Sequence, residues 1–139
     1  MLTLDQANRI IAAALQQSSE SGYKPMAVVV VDASGHTKSA QRQDGASMFR
    51  IDIATGKAWA SIAMGAASRV LAQRAKDLPA FFGALASTGQ GQFIPQTGAV
   101  LIKDTEGQVL GAVGASGGTG DEDEAICIAG VTASGLQAG

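Results

Sequence analysis

The chain has 139 residues, 46% of them hydrophobic and 16% charged, with 10 basic and 12 acidic side chains and one histidine. That length fits a single domain, residues 1–139, able to bury about two-thirds of the surface its unfolded form exposes. The near balance of charge leaves no electrostatic footprint for a nucleic acid or an anionic membrane, and charge this sparse leaves apolar surface that is expected to lie between subunits of a homo-oligomer.

Thr3-Leu-Asp-Gln6 reads as a capping box, and Leu4, Ala7, Ile10, Ile11, Ala14 and Leu15 follow at helical spacing until Gly22. Ala27 to Val31 is apolar at every position, as in a strand covered on both faces. Asp32-Ala-Ser-Gly35 supplies a hairpin turn with glycine where φ is positive. The returning strand, His36 to Gln43, is polar on both faces and reads as an edge, a subunit contact or the wall of a wet pocket.

Residues 47 to 65 read as a helix. Ile51, Ala54, Thr55, Ala58 and Ile62 form one face, and Phe49, Ile53 and Lys57 stack on another that is also expected to bury something. Pro79 opens a short helix carrying Phe81 and Phe82; a glycine- and glutamine-rich loop and the apolar Phe93-Ile-Pro95 come next. Ala99 to Gly107 echoes the design of Ala27 to Gly35 and predicts a second hairpin, returning along Gln108 to Ala115. The last helix, from about Gly120 to Ser134, is expected to turn Ala125, Ile128, Ala129, Thr132 and Ala133 inward, with Gly130 permitting close approach. This order predicts an α+β domain: an antiparallel sheet of two hairpins with helices packed on it.

Gly114 to Gly130 joins a glycine-rich turn to four consecutive acids. Those acids exclude a phosphate at this helix start, and neither G-x-G-x-x-G nor G-K-[ST] is present. Thr119 with Glu122 fits a second capping box, and Asp123 is the acid expected to turn inward toward a ligand. Gly114-Ala-Ser-Gly-Gly118 matches G-x-S-x-G literally, but the only histidine, His36, precedes the serine, and the chain is too short for the parallel sheet such an elbow needs. Ser116 remains a hydrogen-bonding candidate for a substrate oxygen. His36 reads as a solvated imidazole at a turn, and Cys127 as a small buried hydrophobe. No metal site is expected: there is no second histidine, no cysteine pair and no calcium-loop spacing. At the Arg42-Gln-Asp-Gly-Ala46 corner two readings stand. Either Arg42 pairs with Asp44, or Arg42 and Lys57 supply positive charge to a pocket receiving a carboxylate.

Three segments resemble the GlcG/HbpS-like family, also called the haem-degrading domain family and related to the C-terminal part of PduO-type proteins. They are Val31 to Gly35; Arg42 to Ala46 leading to Ala54-Thr-Gly-Lys-Ala58; and Gly98 through Gly111 to Thr119, with Asp123 and Ala129-Gly130. The chain departs from the family pattern at Gln43 and at Thr97-Gly-Ala-Val100. The resemblance implies a profilin-like or PAS-like fold, an oligomer, and a haem-like tetrapyrrole or a small organic acid as ligand. Haem would draw its axial ligand from His36, Cys127, Tyr23 or a methionine.

Together these readings place Arg42, Lys57, Ser116 and Thr119 around an anionic small molecule. In the alternative, a cofactor-free catabolic enzyme of isomerase, hydrolase or deaminase type, Lys57, Asp44 or Asp123 moves a proton on an unsaturated or carbonyl-bearing acid. No nucleic acid or membrane partner is expected. Met1 to Gln6 lacks the basic-then-apolar order of an export signal, so the cytoplasm is the expected location.

Overall fold

A computed structural model describes residues 1–139. Helix α1 (Leu4–Glu20) leads into the hairpin β1 (Ala27–Asp32) and β2 (Thr37–Arg42). Three helices follow, α2 (Phe49–Met64), α3 (Ser68–Asp77) and α4 (Pro79–Thr88), then the hairpin β3 (Ala99–Lys103) and β4 (Val109–Ser116). Helix α5 (Gly120–Ala133) and the short β5 (Gln137–Ala138) complete the chain. The sheet is antiparallel throughout, in the order β2-β1-β4-β3-β5. The polar strand β2 is therefore an edge, one of the three roles its composition allowed.

The two hairpins are built alike. Asp32 Oδ1 accepts from the amides of Ser34 and His36, and Asp104 Oδ1 accepts from those of Glu106 and Gln108. Each side chain caps its own turn.

Both parities of β1 are buried because helices cover both faces of the sheet. Val28 and Val30 join Ile10, Ile11, Ile126 and Val131 under α1 and α5, whereas Val29 and Val31 meet Ala54 and Ala58 of α2. Each fully buried valine contributes roughly 1.5–3 kcal/mol, which makes β1 the central beam of the fold. A third cluster, Ala60, Leu71, Phe82 and Phe93, ties α3 and α4 to the far end of α2.

Sequence and structure differ at several places. Helix α5 turns Ile126, Cys127, Gly130 and Val131 inward, and Ala125, Ile128, Thr132 and Ala133 are exposed, the reverse of the expected face. Apolar residues occupy both sides of this helix, so its period does not select a face. Contact does: a Cβ at Gly130 would sit 2.5 Å from the Ile10 carbonyl oxygen, so α1 and α5 meet here backbone to backbone. Phe49 is exposed instead of packed with Lys57. Helix α3 has no extended apolar stripe in the sequence, because only Ser68 and Leu71 of its residues are buried.

Candidate functional site

Lys57 lies in the third turn of α2, on the side facing the end of β4. Its side chain is only 7% exposed, and that of Asp123, in the first turn of α5, 3% exposed. An unpaired ammonium at this depth would be costly. Lys57 Nζ instead donates to Asp123 Oδ2 at 3.0 Å and to the Ala115 carbonyl at 3.1 Å, while Asp123 Oδ1 accepts from the Gly118 amide at 2.9 Å. The pair thus locks α2, β4 and α5 together.

Burial pushes the Asp123 carboxyl above the ordinary carboxylate range; the Lys57 charge, its hydrogen bond and the Gly118 amide pull it back only in part. Gly98 leaves the room for this arrangement. Its φ is +139°, and a Cβ there would lie 2.6 Å from Lys57 Nζ and 3.1 Å from Asp123 Cβ.

The four acids divide between three roles. Asp121 and Glu124 hold the exposed Arg69 of α3. Glu122 completes the capping box, accepting from the Thr119 amide at 2.9 Å while Thr119 Oγ1 accepts from the Glu122 amide. Asp123 alone turns inward.

Beside the pair opens a cleft of about 490 Å³, lined by Arg50, Lys57, Ser116, Thr119 and Asp123, with Gln96 and Thr97 opposite and Ile53 as its apolar residue. Arg50 Nη1 donates to the buried Ser116 Oγ at 3.1 Å. Lys57, Ser116, Thr119 and Asp123 therefore converge, as the sequence reading expected. Arg50 is the residue that reading missed, although its spacing to Ile53, Ala54 and Lys57 along α2 places it on the same helix face.

Arg42 and Asp44 line a different cleft, of about 550 Å³, with Leu15, Tyr23 and Pro25. They form no ion pair with each other; Arg42 donates instead to the Ala46 carbonyl. The separation is small, however. Arg42, Ala27 and Ser116 pair across β2, β1 and β4 in one row, so the corner and the serine bend sit at the same end of the sheet, two strands or about 10 Å apart.

The other candidates resolve simply. The His36 side chain is 82% exposed. Cys127 is fully buried with Sγ 3.5 Å from the Gly98 carbonyl, and burial raises its thiol pKa far above normal. No group of three or more His, Cys, Asp or Glu is placed to hold a metal ion, and no helix is long and apolar enough to cross a membrane.

The fold has close counterparts among solved structures. The crystal structure of the PduOC:heme complex matches with a TM-score of 0.86 and 26% identity, over 99% of this chain and 96% of that one. Klebsiella pneumoniae protein ORFY matches at 0.87 and 28% identity, over 96% of this chain and 90% of that one. A double mutant of Streptomyces reticuli HbpS matches at 0.82 and 27% identity, over 95% and 86% respectively. In sequence, the corrinoid adenosyltransferase PduO of Citrobacter freundii is 29% identical over 122 residues, which is 88% of this chain but 36% of that protein. The family model described as haem degrading protein HbpS-like matches residues 2–132, and the chain belongs to that family.

Proposed function

We propose that this protein binds a small anionic molecule, with its ligand carboxylate held by Arg50 at the mouth of the Lys57–Asp123 cleft. One observation carries the reading. Lys57 is already neutralised by Asp123, whereas the Arg50 guanidinium has no acidic partner and is fixed by Ser116 at the wall of the cleft. A planar fork oriented in this way suits a carboxylate.

Kinship supports a haem-like tetrapyrrole, since one structural neighbour is a heme complex. The Lys57 cleft does not fit that group: its lining offers no His, Cys, Met or Tyr and only one apolar side chain. Among side chains of axial type, Tyr23 lines the second cleft, where Arg42 could meet a propionate and Leu15 and Pro25 supply the apolar wall. A tetrapyrrole belongs there, and a small organic acid belongs with Arg50.

Titration separates the two ligand classes. Haemin should give a saturable visible-band change that Tyr23→Phe removes and Arg50→Met leaves intact. Short-chain carboxylates should raise the melting temperature of the parent protein and not of Arg50→Met. Failure of both ligand classes would overturn the proposal.

A second reading, an enzyme moving a proton on a carbonyl-bearing acid, is favoured by the raised Asp123 pKa beside Lys57 at a cleft wall. Asp44 has no part in it, being in the other cleft. Solvent deuterium exchange into a bound 2-oxo acid, abolished by Lys57→Met, is its test.

A further inference from the structure

Two buried polar groups on the wall of the Lys57 cleft have hydrogen-bonding capacity that the protein does not use. Ser116 and Lys57 are 1% and 5% exposed, so a donor without an acceptor is costly at either of them. Lys57 Nζ carries three N–H groups and spends two, on Asp123 Oδ2 and on the Ala115 carbonyl. Ser116 Oγ accepts from Arg50 Nη1, which turns its own proton away from the guanidinium, and no protein atom accepts that proton. The Ala115 carbonyl belongs to the peptide bond that leads into Ser116, so the two spare donors lie within one residue of each other along β4, and both groups line the cleft. Guanidinium, hydroxyl and ammonium thus follow one another along a single wall.

We infer that this cleft selects 2-oxo carboxylates, with the ketone oxygen received by Ser116 Oγ and Lys57 Nζ while the adjacent carboxylate lies on Arg50. The selectivity rests on Arg50 as the carboxylate site and adds the group bonded next to it. A ketone oxygen only accepts, and here it meets two donors. A 2-amino acid would bring another cation beside Lys57 and Arg50, and a 2-hydroxy acid would need an acceptor for its proton. The carboxylate at hand, Asp123, is already engaged by Lys57 at Oδ2 and by the Gly118 amide at Oδ1. An acid with a plain methylene at that carbon would cover both donors and satisfy neither. Ile53, the one apolar side chain of the lining, suits a short alkyl tail.

Titration calorimetry of the parent chain with propanoate and its 2-oxo, 2-hydroxy and 2-amino forms tests the selectivity. The 2-oxo acid should bind about tenfold tighter than propanoate, the margin that one newly satisfied buried donor supplies, and tighter than the other two. Ser116→Ala should bring the 2-oxo acid and propanoate to within about twofold of each other. A role for Ser116 confined to propping Arg50 would weaken both acids by the same factor, so the ratio tells the two apart. NMR supplies a readout independent of affinity: the isotope-labelled ketone carbon of the bound acid should move downfield in the parent, as its oxygen is polarised, and less in Ser116→Ala. Equal affinities for the 2-oxo acid and propanoate in the parent, both lost in Arg50→Met, would overturn the selectivity and leave Arg50 standing as a carboxylate site. Preference for the 2-hydroxy or 2-amino acid, or a ratio and ketone shift unchanged in Ser116→Ala, would also overturn it. No binding of any of the four acids would overturn the Arg50 site and the selectivity together.

Discussion

Lys57 Nζ stands 3.0 Å from Asp123 Oδ2, and 66 residues of chain separate the two. Almost no solvent reaches either side chain. This pair joins opposite layers of the domain at the wall of the cleft, so it is both a structural tie and the electrostatic floor of the candidate site.

Removing one member leaves the other buried and unpaired. Lys57→Met should cost about 3–5 kcal/mol in chemical unfolding. The double variant Lys57→Met with Asp123→Asn should recover part of that loss, because no charge is then left buried and the amide still accepts from Gly118. Additive losses in the double-mutant cycle would mean that the two groups do not interact.

Gly98 separates backbone strain from crowding. Gly98→Ala forces a side chain into a positive-φ conformation and into Lys57, whereas Gly107→Ala meets a positive φ of +83° with nothing within 4 Å. Strain alone is worth about 1–3 kcal/mol. The Gly98 variant should therefore be the less stable of the two, and it alone should weaken carboxylate binding.

Two carboxyls give opposite pH dependences. The backbone amide of His36 holds Asp32 below its ordinary value, with further help from Ser34 and against the effect of burial. A lowered folded value means that the Asp32 contribution is complete above about pH 4 and lost as pH falls through the folded value. Asp32→Asn should therefore lower the urea midpoint at pH 5 to 7 and converge on the parent below about pH 4. Asp123 is raised instead; its contribution is complete below about pH 4 and fades as pH climbs through its folded value. Its carboxyl carbon, followed by NMR, should titrate above the range of the exposed aspartates.

The orientation of α5 is tested by two substitutions. Gly130→Ala drives a methyl into the Ile10 carbonyl and should cost about 1–3 kcal/mol as α1 and α5 separate. Ile128→Lys, on the exposed face, should stay within about 0.5 kcal/mol of the parent. The opposite ranking would restore the face expected from periodicity.

What the chain alone determined was local. Capping boxes at Thr3 and Thr119, aspartates that close their own turns, and the apolar run Ala27 to Val31 are decided within a few residues, because their hydrogen bonds and steric limits act over that span. The convergence of Lys57, Ser116, Thr119 and Asp123 was legible as well, through residue types that seldom occur on an apolar helix or in a glycine turn. Only the tertiary structure decided which side of α5 faces inward, that Arg50 and not Arg42 joins Lys57, and that Asp123 meets an ammonium. Each of these depends on how far apart two packed elements lie. That distance is set by contacts such as Gly130 on Ile10 and Gly98 on Lys57, between residues far apart in sequence, and no periodicity in one segment encodes it.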